Sequence, residues 1–305
     1  MAQLAFHTLD VFTDRLFGGN PLAVLPDASG LSDTEMQQLA REFNLSETVF
    51  VLPPRTPEAA RRVRIFTPSA ELPFAGHPTV GTAALLVDLG IVGAGEDRPE
   101  FILEEEVGPV AVAVTRSDGR AAYAQLTAPD PPRLQDTDAT TPQVASLLSL
   151  PRAAIGTAQL ETQVASAGVP FLVVPVSGPD VVPRVALDER VWREHFAGTD
   201  SQNVYVVGVA GDQVRVRMFA PALGVPEDPA TGAAATALGG YLAQGLGEGS
   251  YHWTVTQGVE IGRPSRLEVD VEISVDGAPT VRVGGGVVRV GDGVLRVGED
   301  EIRLP

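Results

Sequence analysis

Hydrophobic positions along the 305-residue chain fall into a few distinct rhythms. Met36, Leu39, Ala40 and Phe43 recur at the spacing of one helix face, and Ser32-Asp33-Thr34-Glu35 ahead of them has the form of a capping box. A helix is therefore expected from about residue 32 to 43. A strand is expected to begin near Thr48, and Gln213 to Phe219 alternates as a half-buried strand does. A helix-like stretch from Asp188 to Phe196 precedes a further strand from Val204. The valines between Thr162 and Pro179 are interrupted by Pro170 and Pro175, so they read as a short buried strand and not as a membrane span. The segments after Pro78 and Pro229 are rich in Ala and Leu, with few charges out to Leu89 and Leu246. Helices apolar on nearly every side must be buried. The tail from Thr280 to Leu304 reads as strands turning at Gly291-Asp292-Gly293 and closing one of the sheets.

Three segments recur in the same order in the two halves. Ser46-Glu47-Thr48-Val49-Phe50-Val51 matches Ser201-Gln202-Asn203-Val204-Tyr205-Val206, an offset of 155 (46 to 201). Val63-Arg64-Ile65-Phe66-Thr67-Pro68 matches Val216-Arg217-Met218-Phe219-Ala220-Pro221, an offset of 153 (63 to 216). His77-Pro78-Thr79-Val80-Gly81 matches Asp228-Pro229-Ala230-Thr231-Gly232, an offset of 151 (77 to 228). Offsets near half the chain point to two similarly folded halves. Each half is expected to be a strongly curved, mostly antiparallel sheet around one central helix, an α+β architecture. Thr127-Ala128-Pro129-Asp130-Pro131-Pro132 has linker composition, so the expected division is residues 1–127 plus about 285–305 against 128–284.

Composition removes several chemistries. There is no Cys, and all 22 basic side chains are Arg, against 39 acidic ones, for a net charge of −17. Without thiols there are no disulfides or cysteine nucleophiles, and without lysine there is no Schiff base to a pyridoxal cofactor and no Walker-type lysine. The charge balance opposes nucleic acid, whose phosphates need clustered cations; Arg61, Arg62 and Arg64 form the densest run and read as a solvated strand end. The start MAQLAFHTLDVF lacks a basic leader, which leads us to expect a cytoplasmic protein, with no membrane partner. His7, His195 and His252 are scattered without metal-ligand spacing, so no metal is expected.

Candidate chemistry gathers at the two buried helices. Proline suits the first turn of a helix, so Pro78 and Pro229 mark helix starts, with His77 and Asp228 expected as N-caps. Gly76, Gly81 and Gly232 are expected to keep the approach to the backbone open. Two helix N-termini facing each other across a cleft would form a site for a small carboxylate, with no lysine needed. Asp228 alone could be an ordinary cap, whereas His77 is not a favoured cap residue. The repeat also singles out Glu47, whose counterpart is the uncharged Gln202. A carboxyl between a helix end and an apolar strand would be partly desolvated, which raises its pKa toward the range where it both accepts and donates a proton.

With these residues in place, the sequence resembles the phenazine-biosynthesis isomerase family, which shares the diaminopimelate epimerase fold. The carrying stretches are DVFTDRLFGGNPLAVLPD at 10–27, NLSETVFV at 44–51, RIFTPSAELPFAGHPTVGTA at 64–83, RMFAPALGVPEDPATGAAA at 217–235 and VGGGVV at 283–288. The resemblance implies two pseudo-symmetric β-barrel-like domains, an interdomain cleft, catalysis without a cofactor, and often a homodimer. It also implies that Glu47 is the general acid/base, that His77 and Asp228 hold and polarise the substrate, and that Gly76 and Gly232 line its carboxylate site. Related epimerases use a cysteine pair, which this chain lacks. After EDPATG the phenazine enzymes usually carry a serine, and here the position is Ala233, which leaves only a backbone N–H toward the substrate.

The leading expectation is a cofactor-independent isomerase that moves a proton between carbons of a small carboxylate-bearing substrate. A non-catalytic carboxylate-binding protein of the same fold is the alternative suggested by Ala233. Use of Glu47 and Asp228 as a glycosidase pair is weaker, because aromatics to line a sugar cleft make up only 6% of the chain.

Overall fold

The computed structural model describes residues 2–297. Its first half contains β1 (Ala2–Val11), β2 (Asn20–Leu25), α1 (Asp33–Phe43), β3 (Glu47–Leu52), β4 (Arg61–Phe66), β5 (Glu71–Leu72), α2 (Gly76–Asp88), β6 (Glu100–Glu105), β7 (Gly108–Ser117) and β8 (Arg120–Thr127). The second half contains β9 (Arg133–Gln135), α3 (Thr141–Leu147), β10 (Gln163–Ser166), β11 (Pro170–Val176), α4 (Glu189–His195), β12 (Val204–Ala210), β13 (Gln213–Ala220), β14 (Val225–Asp228), α5 (Gly232–Leu242), β15 (Gly249–Gln257), β16 (Ser265–Ile273) and β17 (Pro279–Val297). None of these helices is long and apolar enough to cross a membrane.

Strand pairing repeats between the halves. The parallel pair β2–β3 has its counterpart in β11–β12, the antiparallel β3–β4 in β12–β13, and the parallel β4–β6 in β13–β15. In the first half the pairs run β1–β2–β3–β4–β6–β7–β8–β17 and return to β1, which closes an eight-stranded barrel. The corresponding run in the second half goes from β9 through β10, β11, β12, β13, β15 and β16 to β17. No β9–β17 pairing closes it among the described residues.

The repeat extends to side chains. Arg64 grips both carboxylate oxygens of Glu71 at 2.7 and 2.6 Å and lies over the Phe66 ring, while Arg217 grips Glu227 at 2.9 and 2.6 Å and lies over Phe219. Arg64 also pairs with Asp33 at the start of α1. It is thus a clamp between strand and helix, unlike the solvated end its sequence suggested: the planar guanidinium matches a carboxylate with two parallel bonds.

Local signals account for the helices. Ser32 and Glu35 cap α1 reciprocally, with the Glu35 carboxylate accepting the Ser32 N–H at 2.8 Å, and Asn44 ends the helix in the left-handed conformation at φ 51°. In α2 every residue from Gly76 to Val87 is buried, and the helix packs against β8, β17, β7, β1, β2 and β3. In α5 every residue from Gly232 to Tyr241 is buried, against β17, β10, β16, β9 and β11. Gly81 does not hold open an approach. A Cβ there would lie 2.7 Å from both Leu22 and Val11, so its role is close packing of α2 on the sheet.

The tail differs from its sequence reading. Gly291, Asp292 and Gly293 form no turn; they pair with Thr8, His7 and Phe6 within one 19-residue strand, β17, and the register slips only between Thr8 and Leu9. A Cβ at 293 would stand 2.6 Å from the Phe6 ring, so Gly293 lets that ring lie directly against the strand. The stretch of the tail beyond residue 297 lies outside the described residues. β17 pairs first with β16, then with β8 and then with β1, so one strand serves both halves.

Candidate active site

The two buried helices begin against each other. A Cβ on Gly76 would fall 2.6 Å from Gly232 Cα, and one on Gly232 would fall 2.8 Å from Gly76 Cα. Only two hydrogen-sized side chains permit this approach. Neither α2 nor α5 has a side-chain N-cap hydrogen bond. Their first-turn N–H groups therefore lack a side-chain acceptor where the two starts meet, each end carrying roughly half a positive charge.

The caps are not the residues the prolines suggested. Ala75 caps α2, so His77 is its second residue and Pro78 its third; Thr231 caps α5, and Asp228 ends β14, paired with Met218 of β13. The physical reason is that a proline is tolerated where no helical N–H bond is lost, whether at the third helical position, as Pro78, or three residues ahead of the helix, as Pro229. The spacing thus located each start only to within a few residues.

Glu47 opens β3 and meets His77 across the junction, Oε2 to Nε2 at 3.3 Å. The contact is not aligned as a hydrogen bond, and both atoms are buried without a partner. Burial and the nearby charge of Asp228 push the Glu47 carboxyl up from the usual 4.5 to about 8. Burial lowers the His77 imidazole to about 3, so it is neutral at physiological pH. The Glu47 side chain keeps 16% of its surface open against 5% for His77, leaving the acid a route to exchange protons. Gln202, its counterpart in the repeat, is turned to structural work: its carbonyl accepts from Trp192 Nε1 and its side chain accepts the Gly198 N–H.

Asp228 is fixed by three side chains that the sequence reading did not single out. Asn20 donates to Oδ1 at 3.0 Å, and the Thr231 hydroxyl donates to Oδ2 at 2.6 Å. Gln257 donates to the Asp228 carbonyl and to the Thr231 hydroxyl at 2.8 and 2.9 Å, and it accepts the Thr231 N–H. Burial raises the Asp228 carboxyl to about 6, against the two donors that pull it down. Near neutrality the junction thus holds a protonated Glu47, an ionised Asp228 and a neutral His77. Gln257, wholly buried in a strand, was visible in sequence only as a lone amide beside apolar positions. Ala233, the second residue of α5, is 8% exposed and presents no polar side-chain atom.

Comparison with known proteins identifies the family of the chain. The family model described as phenazine biosynthesis-like protein matches residues 9–293. An uncharacterized isomerase of Mesorhizobium japonicum is 41% identical over 289 residues, covering 90% of this chain and 93% of its own length. A trans-2,3-dihydro-3-hydroxyanthranilate isomerase of Pseudomonas chlororaphis is 37% identical over 280 residues, covering 91% of this chain and 94% of its own length. The crystal structure of a Bacillus anthracis protein of the PhzF family superposes with a TM-score of 0.85 at 25% identity, over 97% of this chain and all of that one. A probable proline racemase of Agrobacterium radiobacter shares the fold at a TM-score of 0.67 and 17% identity, over 98% of this chain and 94% of that one. Matched along nearly its whole length, the chain belongs to the phenazine biosynthesis-like family of isomerases.

Proposed function

We propose that the chain is a cofactor-independent isomerase in which Glu47 moves a proton between two carbons of a small carboxylate-bearing substrate. The observation that carries this reading is the convergence of Glu47 Oε2 and His77 Nε2, buried, unpartnered and 3.3 Å apart, where the starts of α2 and α5 touch. Buried polar atoms in folded proteins find partners, so an unpaired acid and an unpaired imidazole on one spot call for a ligand between or beside them. The substrate carboxylate would accept the first-turn N–H groups at Gly76, His77, Gly232 and Ala233. Directed N–H groups are what let an anion bind a chain of net charge −17.

In the ionised form Glu47 would take an acidic C–H proton. The electron pair left on carbon would delocalise through an unsaturated system toward the bound carboxylate, where the two helix termini stabilise the added charge. Protonated Glu47 would then return its proton to another carbon, with no net change in atoms or electrons. A pKa near 8 suits a group that must act in both senses. Neutral His77 and anchored Asp228 would hold and polarise the substrate. The absence of Lys and Cys removes the amine and thiol routes to the same outcome.

An unsaturated cyclic carboxylate is the proposed class, and dihydro-hydroxyanthranilate, named for the Pseudomonas relative, is the first compound to try. The proposed organisation is two pseudo-symmetric barrel-like lobes, each around its helix, divided as 1–127 plus about 285–305 and 128–284. In support, residues 279–284 of β17 pair with β16 and residues 287–297 pair with β1. A homodimer, implied by the resemblance, is checked by sedimentation.

The test is incorporation of carbon-bound deuterium from D₂O into trial substrates. Glu47→Gln should slow exchange by about 10²- to 10⁴-fold; equal rates in parent and variant would remove Glu47 from the chemistry. One observation favours a second reading, a non-catalytic binder: Ala233 offers no side-chain donor at the helix start. A carboxylate that binds by calorimetry and remains unexchanged through long incubation would establish that reading instead.

A further inference from the structure

A second buried carboxyl lies behind the α2 start, outside the proposed chemistry. Glu105 ends β6, whose alternation of Phe101, Leu103 and Glu105 turns it toward the core, and it is 5% exposed. Its Oε1 lies 2.6 Å from Thr79 Oγ1, and Oε2 has no partner. The same Thr79 hydroxyl lies 2.7 Å from the carbonyl oxygen of Ala75, the residue that caps α2. A hydroxyl has one proton to donate. If Thr79 donates to Glu105, its oxygen sits 2.7 Å from the Ala75 carbonyl with no proton between two lone pairs. If it donates to Ala75, the proton between Oγ1 and Oε1 must come from Glu105. Only the second arrangement gives each short contact a proton of its own instead of one shared between two acceptors, and it requires a neutral carboxylic acid.

We propose that Glu105 is held as an un-ionised acid that donates to Thr79 and, through Thr79, fixes the Ala75-Gly76-His77 turn facing Glu47. Glu105 is thus a positioning residue: it reaches the site through the relay Glu105, Thr79, Ala75 and does not touch the substrate position. Burial favours the same state, pushing the carboxyl up to about 8 against the lowering effect of Thr79. An unpaired carbonyl-type Oε2 costs far less than an unpaired buried charge. The functional consequence rests on the reading of the α2 start as part of the active site; the protonation state does not.

The protonation state is tested on the whole protein by infrared difference spectroscopy of parent against Glu105→Gln at neutral pH. An un-ionised carboxyl band present in the parent and lost in the variant is expected; a carboxylate band in its place would overturn the proposal. Glu105→Gln, whose amide can donate to Thr79 as the acid does, should also keep deuterium exchange within about twofold of the parent. A folded Glu105→Gln as inactive as Glu47→Gln would mean that Glu105 acts through its own ionisation, which also overturns it. Thr79→Val should shift the imidazole NMR signals of His77 and lower exchange, and Thr79→Ser should restore both. Unmoved His77 signals in a folded Thr79→Val would refute the relay. If the parent exchanges no trial substrate, the function proposed above fails while the infrared and imidazole measurements still decide this one.

Discussion

Three acids buried around one junction make stability depend on pH in a definite sense. Glu47 and Glu105 are raised to about 8 and Asp228 to about 6, chiefly by burial. Below the ordinary carboxyl range each is protonated in the folded and the unfolded chain alike. Between 4.5 and about 8 the unfolded chain releases the Glu47 proton while the folded one retains it, so the folded state loses stability as pH rises through that window. Glutamine cannot titrate. Glu47→Gln should therefore melt higher than the parent at about pH 8, with the gap closing toward about pH 4; a gap constant with pH would contradict the raised carboxyl. Asp228→Asn removes the anion that helps to raise Glu47, so the rising limb of kcat/KM with pH should move to lower pH, by up to about one unit. A limb that stays in place would show that Asp228 does not bear on Glu47.

At this scale the sequence was informative where the repeat broke and silent where it held. Glu47 stood out because Gln202 replaces it, and its raised pKa follows from burial between an apolar strand and a helix start. Asn20 and Gln257 are ordinary polar residues in sequence, and only the folding of their strands brings them onto Asp228 from 208 and 29 residues away; Thr231 is local, three residues on, but reads as a plain helix cap.

Among elements, the contact between α2 and α5 is the most demanding. Gly76→Ala would drive a methyl to 2.6 Å from Gly232 Cα, and backbone on both sides leaves no flexible side chain to yield. The two helix starts should part or the protein should lose roughly 1–3 kcal/mol, and in either case carboxylate affinity measured by calorimetry should fall. Unchanged affinity and melting would mean that the junction tolerates widening. Ser32→Ala, by comparison, removes one member of the α1 capping box and should cost about 1 kcal/mol without affecting exchange. Helices were legible from capping chemistry and all-round apolar composition, but their first residues were not, since the marker proline sits at the third position of α2 and three residues before α5. Gly291-Asp292-Gly293 misled for a related reason: glycine answers equally to a turn and to a crowding ring such as Phe6, and sequence does not distinguish the two.

Across the whole molecule, polar ties join distant segments. Arg263, in the connection between β15 and β16, pairs with Asp10 of β1 at 2.5 Å and donates to the carbonyls of Gly18 and Gly19 at 2.7 and 2.8 Å. Asp10 is buried and also accepts the Phe17 N–H at 2.7 Å. Arg263→Ala leaves that carboxylate without its cation and should cost about 3 kcal/mol or more by denaturant unfolding; a loss under about 1 kcal/mol would show that water replaces the guanidinium. Ending the chain at about Gly284 deletes every β1–β17 pair, and the barrel should not form; a soluble, cooperatively melting truncate would contradict that. The recurrence of strand pairings was legible because the sequence repeats its motifs in order. The shared strand was not, because no local pattern says which partners a strand will take.

The same register brings the first and last described residues together. Ala2 stands opposite Val297 in an antiparallel ladder, where facing Cα atoms lie about 5 Å apart. The described backbone is therefore almost a ring. A circular permutant that joins these ends with a short turn and opens in the polar stretch 136–139, between β9 and α3, keeps every ladder intact, and it should fold with the junction of α2 and α5 unaltered.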